Sequence, residues 1–435
     1  MKTSIKTALL VGLLGISTLG VAQVNRALQF DRLPGKAGIN VYEPSKEDTV
    51  GYDGLKVRVG GDFAMQFQSI TQGNEAGTLA KLGKDFNLPT ANLNVDVQLE
   101  DGLKMHLRTY LSARHHEEAW VKGGHIQMDK LDFIKPGFLS GFMEIATIRV
   151  GLDEFNYGDA HFRRTDNARA IYNPFVANYI MDAFSTEAFG ELTLQKNGLI
   201  AVIGLTNGKL NQNVNLTARD RATGNIIVDS KDNKASFFGK LGIDKQLNDE
   251  TRVRLTGSWY INKGQSTGTY LYGGDRGGSR YYGVLHTQDD AADGSGSDFE
   301  GRYNPRFSEL TAIQINPFVQ YNNLEFFGIY EVASGGADNQ DGSVTQMAAE
   351  LLYRFGGKDQ FYAGARYNNV KGATVDGAPE IEINRMNLGG GWFMTNNVIV
   401  KLEYVTQEYK GDGYAGSKYQ GASFEGVNIE AAISF

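Results

Sequence analysis

The sequence predicts an all-β chain, a transmembrane antiparallel β-barrel of about 16 strands (roughly 14–18), with short turns at one end and long loops at the other. Three observations carry that expectation. Apolar and polar residues alternate with period two from about residue 55 to the last residue. Short turns bearing Gly, Asn or Pro alternate along the chain with long polar loops. Glycine is plentiful, 54 of 435 residues, while proline numbers only 8, which suits many strands and turns.

The chain opens on an address. Lys2 and Lys6 form a positive start, Ala8 to Val21 carry no charge, and Gly20-Val21-Ala22 offers small residues at a cleavage site, so residues 1–22 read as an export signal. The apolar run is too short for a stable anchor. The mature chain is expected to start at Gln23. The absence of cysteine excludes a lipoprotein anchor, disulfides and thiolate metal sites. Without the two leader lysines, 41 bases face 50 acids, a formal charge of −9. That balance argues against nucleic acid as a partner. After Ala22 there is no unbroken apolar stretch of ~18 residues, so no spanning helix is expected.

Residues 23–54 are mixed in character and read as a periplasmic N-terminal extension or a partial filler of the lumen. The barrel is expected over 55–435. Its first strand sets Leu55, Val57, Val59, Gly61, Phe63, Met65 and Phe67 on one face, with Lys56, Arg58, Asp62, Gln66 and Gln68 on the other. A hairpin follows: Ala91 to Leu99 alternate with Asn92 to Glu100, Asp101-Gly102 turns, and Leu103, Met105, Leu107 and Leu111 return. Further short turns are expected near Pro136-Gly137, Asn197-Gly198, Leu247-Asn248, Asn322-Asn323, Gly356-Gly357 and Asn396-Asn397. Strands near 124–134 and 141–151 alternate least cleanly. The cleaner later hairpins are 344–355 with 360–369 and 383–393 with 398–408. Val427, Ile429, Ala431, Ile433 and Phe435 close the pattern on an apolar aromatic, the kind of end that barrel assembly machinery reads.

Long loops are expected at about 69–90, 113–123, 152–185, 207–234, 262–308, 334–343, 370–382 and 409–424. A soluble β-fold has no reason to gather all of them at one end. A barrel of about 16 strands is also too wide to fill with its own side chains, so the apolar face is expected to look outward to lipid. Phe67, Tyr321, Tyr330, Phe355, Tyr367, Trp392, Tyr404 and Phe435 fall on that face near turns or loop junctions, where aromatic girdles lie.

Parity then assigns the inner face. Arg58, Arg108, Arg149, Arg252, Arg254, Arg354, Arg366 and Arg385 point inward and are the pore-lining candidates, with Lys56, Lys104, Lys240 and Lys401. Inward acids are Asp62, Asp96, Glu100, Glu191, Glu325, Glu331, Glu350, Glu403 and Glu430. Arg or Lys facing lipid at mid-membrane costs about 2–4 kcal/mol, so a wet lumen is the consistent place for such charges. The third long loop, 152–185, carries Asp153, Glu154, Asp159, Arg163, Arg164, Asp166 and Arg169, three aromatics and an Asn173-Pro174-Phe175 turn. It is the candidate constriction loop.

The last strand and the stretch RRTDNARAIYNPFVANY, from Arg163 to Tyr179, resemble the porin O and P superfamily, the phosphate-selective type, and similar porins of Bacteroidetes-like bacteria. The resemblance implies a water-filled pore in a Gram-negative outer membrane, a third loop folded inward, and arginines lining the narrows. Arg149, Arg163, Arg164, Arg354 and Arg366 are the matching candidates. The family's lysine component has no counterpart in the 152–185 loop, which holds three arginines against five acids and no lysine. The expected activity is therefore passive diffusion of small hydrophilic solutes, general or weakly selective. A phosphate- or anion-selective pore is the alternative, and a binding or adhesion protein acting through its loops the rival class.

The expected partners are outer-membrane lipid and lipopolysaccharide, the assembly machinery, small solutes and two further copies of the chain in a homotrimer. Other signals stay weak. His115-His116-Glu117-Glu118 has no second ligand cluster for a metal. Asp289, Asp293 and Asp298 could hold calcium only loosely, lacking the spacing of a calcium-binding hand. The glycines from Gly273 to Gly278, after Tyr272, read as a flexible surface loop. No catalytic triad is legible, so no enzyme is expected.

Overall fold

The computed structural model describes residues 27–47, 50–87, 89–112, 119–163, 169–183, 186–208, 217–219, 223, 226–228, 234–264, 271–273, 280–296, 300–307, 309–336 and 341–435. The leader, the His115–Glu118 run, Arg164, Asp166 and Asp298 lie outside them. Sixteen strands carry the fold: β1 (Lys56–Gly73), β2 (Thr90–Glu100), β3 (Leu103–Ser112), β4 (Ala119–Met128), β5 (Ala146–Glu154), β6 (Thr186–Lys196), β7 (Leu199–Thr206), β8 (Ser236–Gln246), β9 (Thr251–Asn262), β10 (Glu309–Tyr321), β11 (Leu324–Gly336), β12 (Gly342–Phe355), β13 (Phe361–Ala373), β14 (Ile381–Thr395), β15 (Val398–Lys410) and β16 (Ser423–Ser434). Each pairs antiparallel with the next, and β1 closes on β16 from Asp62↔Ser434 to Gly73↔Ser423. Closure leaves no free edge in the membrane. A three-residue strand, Lys84–Phe86, folds back onto β1 from the first loop. Thr217–Arg219 and Ile226–Val228 form a separate ribbon in the fourth.

Strand parity becomes the two faces of the wall. In β12, buried and exposed residues alternate through most of its length. Outward-facing Met347, Leu351 and Tyr353 are exposed, while inward Gln346 and Glu350 are buried. Tyr353, Phe355, Phe361 and Trp392 form an outward ladder of stacked rings with successive centroids 5.6–6.4 Å apart. Their place near the turns suits the membrane–water boundary. Among the described residues no helix is long and apolar enough to cross a membrane.

The short turns follow local chemistry. Asn197 and Gly198 both take positive φ, +54° and +80°, as a two-residue primed turn demands. Two expectations fail. The turn near Pro136-Gly137 is not short: β4 stops at Met128 and β5 starts at Ala146, with a helical turn at Ser140–Met143 between them. Leu131 and Met143 fold back against Met128, Ile148, Leu192 and Leu194, outward residues at the turn end. That packing overrides the weak alternation. Glu100, assigned to the lumen, is exposed, because the β2–β3 register shifts between Gln98 and Glu100.

Candidate functional site

All eight predicted arginines project into the barrel, and each meets an acid or a carbonyl. Arg108, 1% exposed, reaches Glu154 at 2.6 Å. Arg149 bonds the Glu154 carbonyl at 2.5 Å and lies 3.9 Å from Glu191. Arg252 grips Asp244 through two nitrogens at 2.8 and 2.7 Å, and Arg354 grips Glu325 at 2.5 and 3.1 Å. Arg366 reaches Glu350 at 2.6 Å and the Ala177 carbonyl at 2.9 Å. Arg385 donates to the Asn178 carbonyl at 2.7 Å and to Gln407 and the Gly301 carbonyl. Charge-assisted bonds of this kind fix two groups in one geometry. Arg58 and Arg254 join larger clusters described below.

The third loop enters the lumen and binds its far wall. Asp153 and Glu154, expected in that loop, are the last residues of β5. Beyond them, the Gly158 N–H donates to Ser258 and the Asp159 N–H to Asn316. The Asp159 carboxylate receives Lys240 at 2.8 Å and Arg254 at 2.8 Å. Burial would raise this carboxyl; the two cations hold it well below its ordinary range. Arg163, in a helical turn at Ala160–Arg163, pairs with Glu350 on β12 at 2.6 Å and lies over the Phe327 ring. Arg169, about a quarter exposed, stays 3.5 Å from Glu154. Asn173 accepts from the Phe175 N–H, giving the expected turn, and Ile180 and Met181 present their N–H groups to Asn368 and Gln346. Among the described residues of the loop, Asp159, Arg163 and Arg169 thus meet the wall.

The fifth long loop does the same, which sequence reasoning missed. Tyr272 is buried and its hydroxyl bonds Glu331 at 2.8 Å, so the start of the glycine-rich piece is not a surface loop. Tyr281 bonds Glu403 at 2.7 Å, and Arg280 pairs with Glu430 at 2.7 Å. Leu271, Tyr281, Val284 and Leu285 join Phe155, Ile180 and Met181 in an apolar cluster inside the loop end of the barrel. The available signal was the presence of those apolar residues in an otherwise polar loop. Of the aspartates considered for calcium, Asp289 and Asp293 belong to a helix, Gln288–Asp293, with Thr287 and Asp290 capping each other. Among the described residues no group of three or more His, Asp or Glu is placed to hold a metal.

At the turn end, residues 27–47 lie within the mouth. Gln29 bonds Gln98 and Gly102, the Lys36 N–H bonds the Asn396 carbonyl at 2.6 Å, and Lys46 meets Asp129 at 2.9 Å. Asp31 lies between Arg58 at 2.5 Å and Lys104 at 2.7 Å, and Arg58 also binds Asp96. Glu43 lies between Arg254 at 2.8 Å and Lys240 at 3.3 Å. Burial opposes its charge, yet those two cations bring its carboxyl down to about 2. Tyr42 meets Phe162 and Phe318 edge-on, both at 5.8 Å.

Between this segment, the third loop and β1–β6 remains a cavity of about 180 Å³. Its lining is charged and includes Arg58, Asp62, Arg108, Arg149 and Glu191. Two histidines face each other across β3 and β4, each on a carboxylate: His106 with Asp96 at 2.6 Å and His125 with Asp153 at 2.8 Å. Phe435, the last residue, exchanges two backbone bonds with Gly61 and turns its ring outward.

Similar barrels exist among solved structures. An anion-selective porin from Comamonas acidovorans matches at 12% identity over 88% of this chain and 100% of that one, with a TM-score of 0.50. OmpF of Salmonella typhi, in complex with daunomycin, matches at 11% identity over 89% of this chain and 99% of that one, at 0.49. The outer membrane channel DcaP of Acinetobacter baumannii matches at 10% identity over 88% and 99%, at 0.47. The likeness is one of fold. No protein-family model matches the chain, and no curated protein does.

Proposed function

We propose that this chain is a porin of the Gram-negative outer membrane, giving passive diffusion of small hydrophilic solutes or ions, general or weakly selective. One observation carries the reading: a closed 16-strand wall with an apolar outside and a charged inside, keeping a charged cavity beside its inward-folded loops. Lipid accepts the first face, and only water or polar solutes accept the second.

Weak selectivity is favoured over a phosphate site because the inward arginines are neutralised. Arg58, Arg108, Arg252, Arg254, Arg354 and Arg366 each lie within 2.8 Å of a carboxylate oxygen. An anion would have to displace those partners. Export by the leader, insertion through the Phe435 end, contact with lipopolysaccharide and assembly as a homotrimer complete the proposal. The test is single-channel recording of folded protein in a planar bilayer under a salt gradient. Stable current steps with a small reversal potential are expected. Folded protein that gives no steps would remove the pore reading and advance binding through the loops.

A further inference from the structure

The segment 27–47 differs from the loops in how it is held. Its regular structure is limited to a single turn of 3-10 helix, Gly35–Gly38, and it pairs with no strand. It circles the mouth through separate contacts, with Tyr42 buried in an apolar cluster beside Phe162 and Phe318. Gln29 meets the β2–β3 turn, Lys36 the β14–β15 turn, Asn40 accepts from Arg252 on β9, and Lys46 meets Asp129 beyond β4.

Lys46 forms an ion pair with Asp129, and two further charged contacts, at Asp31 and Glu43, are built alike. At the first, Arg58 and Lys104 of the wall surround the wall's Asp96 and the segment's Asp31. At the second, Arg254 and Lys240 of the wall surround Asp159 of the third loop and the segment's Glu43. The first cluster sets two cations against two carboxylates; the second extends to Asp244, 3.2 Å from Arg254 and paired with Arg252, and sets three against three. One carboxylate in each belongs to the segment. Take the segment away and each keeps one surplus positive charge, in a place where low dielectric strengthens it, while Asp129 at the rim loses Lys46.

The joint to the barrel carries two glycines around Tyr52, whose hydroxyl bonds the Leu99 carbonyl at 3.1 Å. Gly51 and Gly54 flank the entry to β1, Gly54 at φ +111°, and a side chain added at either would meet nothing within 4 Å. Backbone freedom and empty surroundings at both positions let the segment swing without repacking the wall.

We propose that residues 27–47 are a displaceable internal plug, whose Asp31 and Glu43 occupy two cationic sockets that otherwise take the acidic groups of a passing solute. The inference rests on the porin reading and adds its regulation. With the plug in, the mouth is narrow and neutral; with the plug out, it is wider and attracts anions.

The natural chain has no cysteine, so a single engineered pair can lock the plug. Lys36→Cys with Asn396→Cys joins two residues already in backbone contact. Full-length protein carrying the pair is recorded in potassium chloride, oxidised and then reduced. The expected result is a crosslink visible as a gel shift, a low oxidised conductance and a severalfold rise on reduction. Asp31→Asn with Glu43→Gln should raise conductance without any thiol and move the reversal potential toward anions. If that variant fails to fold, the crosslinked pair decides alone. A crosslink that never forms overturns the placement of the plug. A verified crosslink with equal current in both redox states overturns the plug, while wild-type current leaves the porin reading standing. Silence in every form, wild type included, removes both.

Discussion

The two halves of the lumen use one inward pattern for opposite ends. Along β9–β16, inward polar groups hold loop backbone. Gln346 brackets Met181 through its N–H and carbonyl at 2.8 and 2.7 Å, and the Lys401 ammonium gathers the carbonyls of Ala170, Asn173 and Phe175. Along β1–β6, inward groups pair mostly with one another around open space, and Arg58, His106, His125 and Arg149 keep 12–19% of their side chains exposed. Period two decides that a residue faces in; what it faces there is decided by loops remote in sequence. The β9–β16 side behaves as a protein core, and the β1–β6 side lines the cavity.

Stability should separate the halves most. Arg254, with none of its side chain exposed, neutralises Asp159 and Glu43. Arg254→Met leaves both short of a cation, and breaking a buried pair on one side costs about 3–5 kcal/mol. Arg58→Met, beside the cavity, lets water reach Asp96 and Asp31, so a clearly smaller loss is expected. Urea midpoints, read from the heat-modifiable gel shift of detergent-folded protein, would decide; equal losses would erase the distinction between core and wall.

A smaller effect is expected at Gln346. Replacement by alanine strands the N–H and carbonyl of Met181, each a buried group worth about 1–3 kcal/mol when unmatched. The third loop should then be cut by proteases under conditions where the wild-type loop is protected. Unchanged protection would mean that the loop is held by its apolar cluster instead.

Selectivity should reverse the ranking. Arg149→Ala removes a charge that lines the cavity and should shift the reversal potential toward cations. Arg366→Ala removes one already enclosed by Glu350, Ala177 and Asn173. It should lower stability and leave the potential nearly unmoved. The opposite order would place the passage along the packed half.

Legibility in the sequence followed the same division. Strand number, most turn positions and most of the inward set were readable because they depend on neighbours two residues apart; the Pro136-Gly137 turn and Glu100 were not. The third loop's inward path was expected from the resemblance to porins rather than from any local pattern, and the sequence shows Phe155, Tyr157 and Phe162 there without their partners. The plug was legible only as one of two alternatives, a partial filler of the lumen, and its contacts were not: Asp31 and Glu43 look like ordinary solvated acids until closure brings Lys104 and Lys240 beside them. The same holds for Tyr272 and Tyr281, whose partners Glu331 and Glu403 lie 59 and 122 residues away. The long β4–β5 turn was misread because Leu131 and Met143 fill a groove between strands that no local pattern encodes.

The gentlest test uses acid, where plug and third loop meet. Glu43 faces Arg254, Lys240, Asn156 and, across the cations, Asp159. Its carboxyl titrates at about 2 in the fold against an ordinary 4.5. The unfolded or released segment therefore binds the proton first, and the stabilisation present above pH 4.5 fades as pH falls toward 2. His161, near Lys240 and Asp159, is held well below its ordinary 6.5, chiefly by burial and by the lysine. Its release favours proton uptake, so contact should begin to weaken as pH drops below 6.5. Channel conductance should rise modestly from pH 7 to 5 and more steeply below 4.5. Glu43→Gln should remove the lower step and keep the upper; His161→Gln should do the reverse. Flat conductance across both windows would mean that the plug is held by its apolar contacts, Tyr42 between Phe162 and Phe318, and that charge only sets its register.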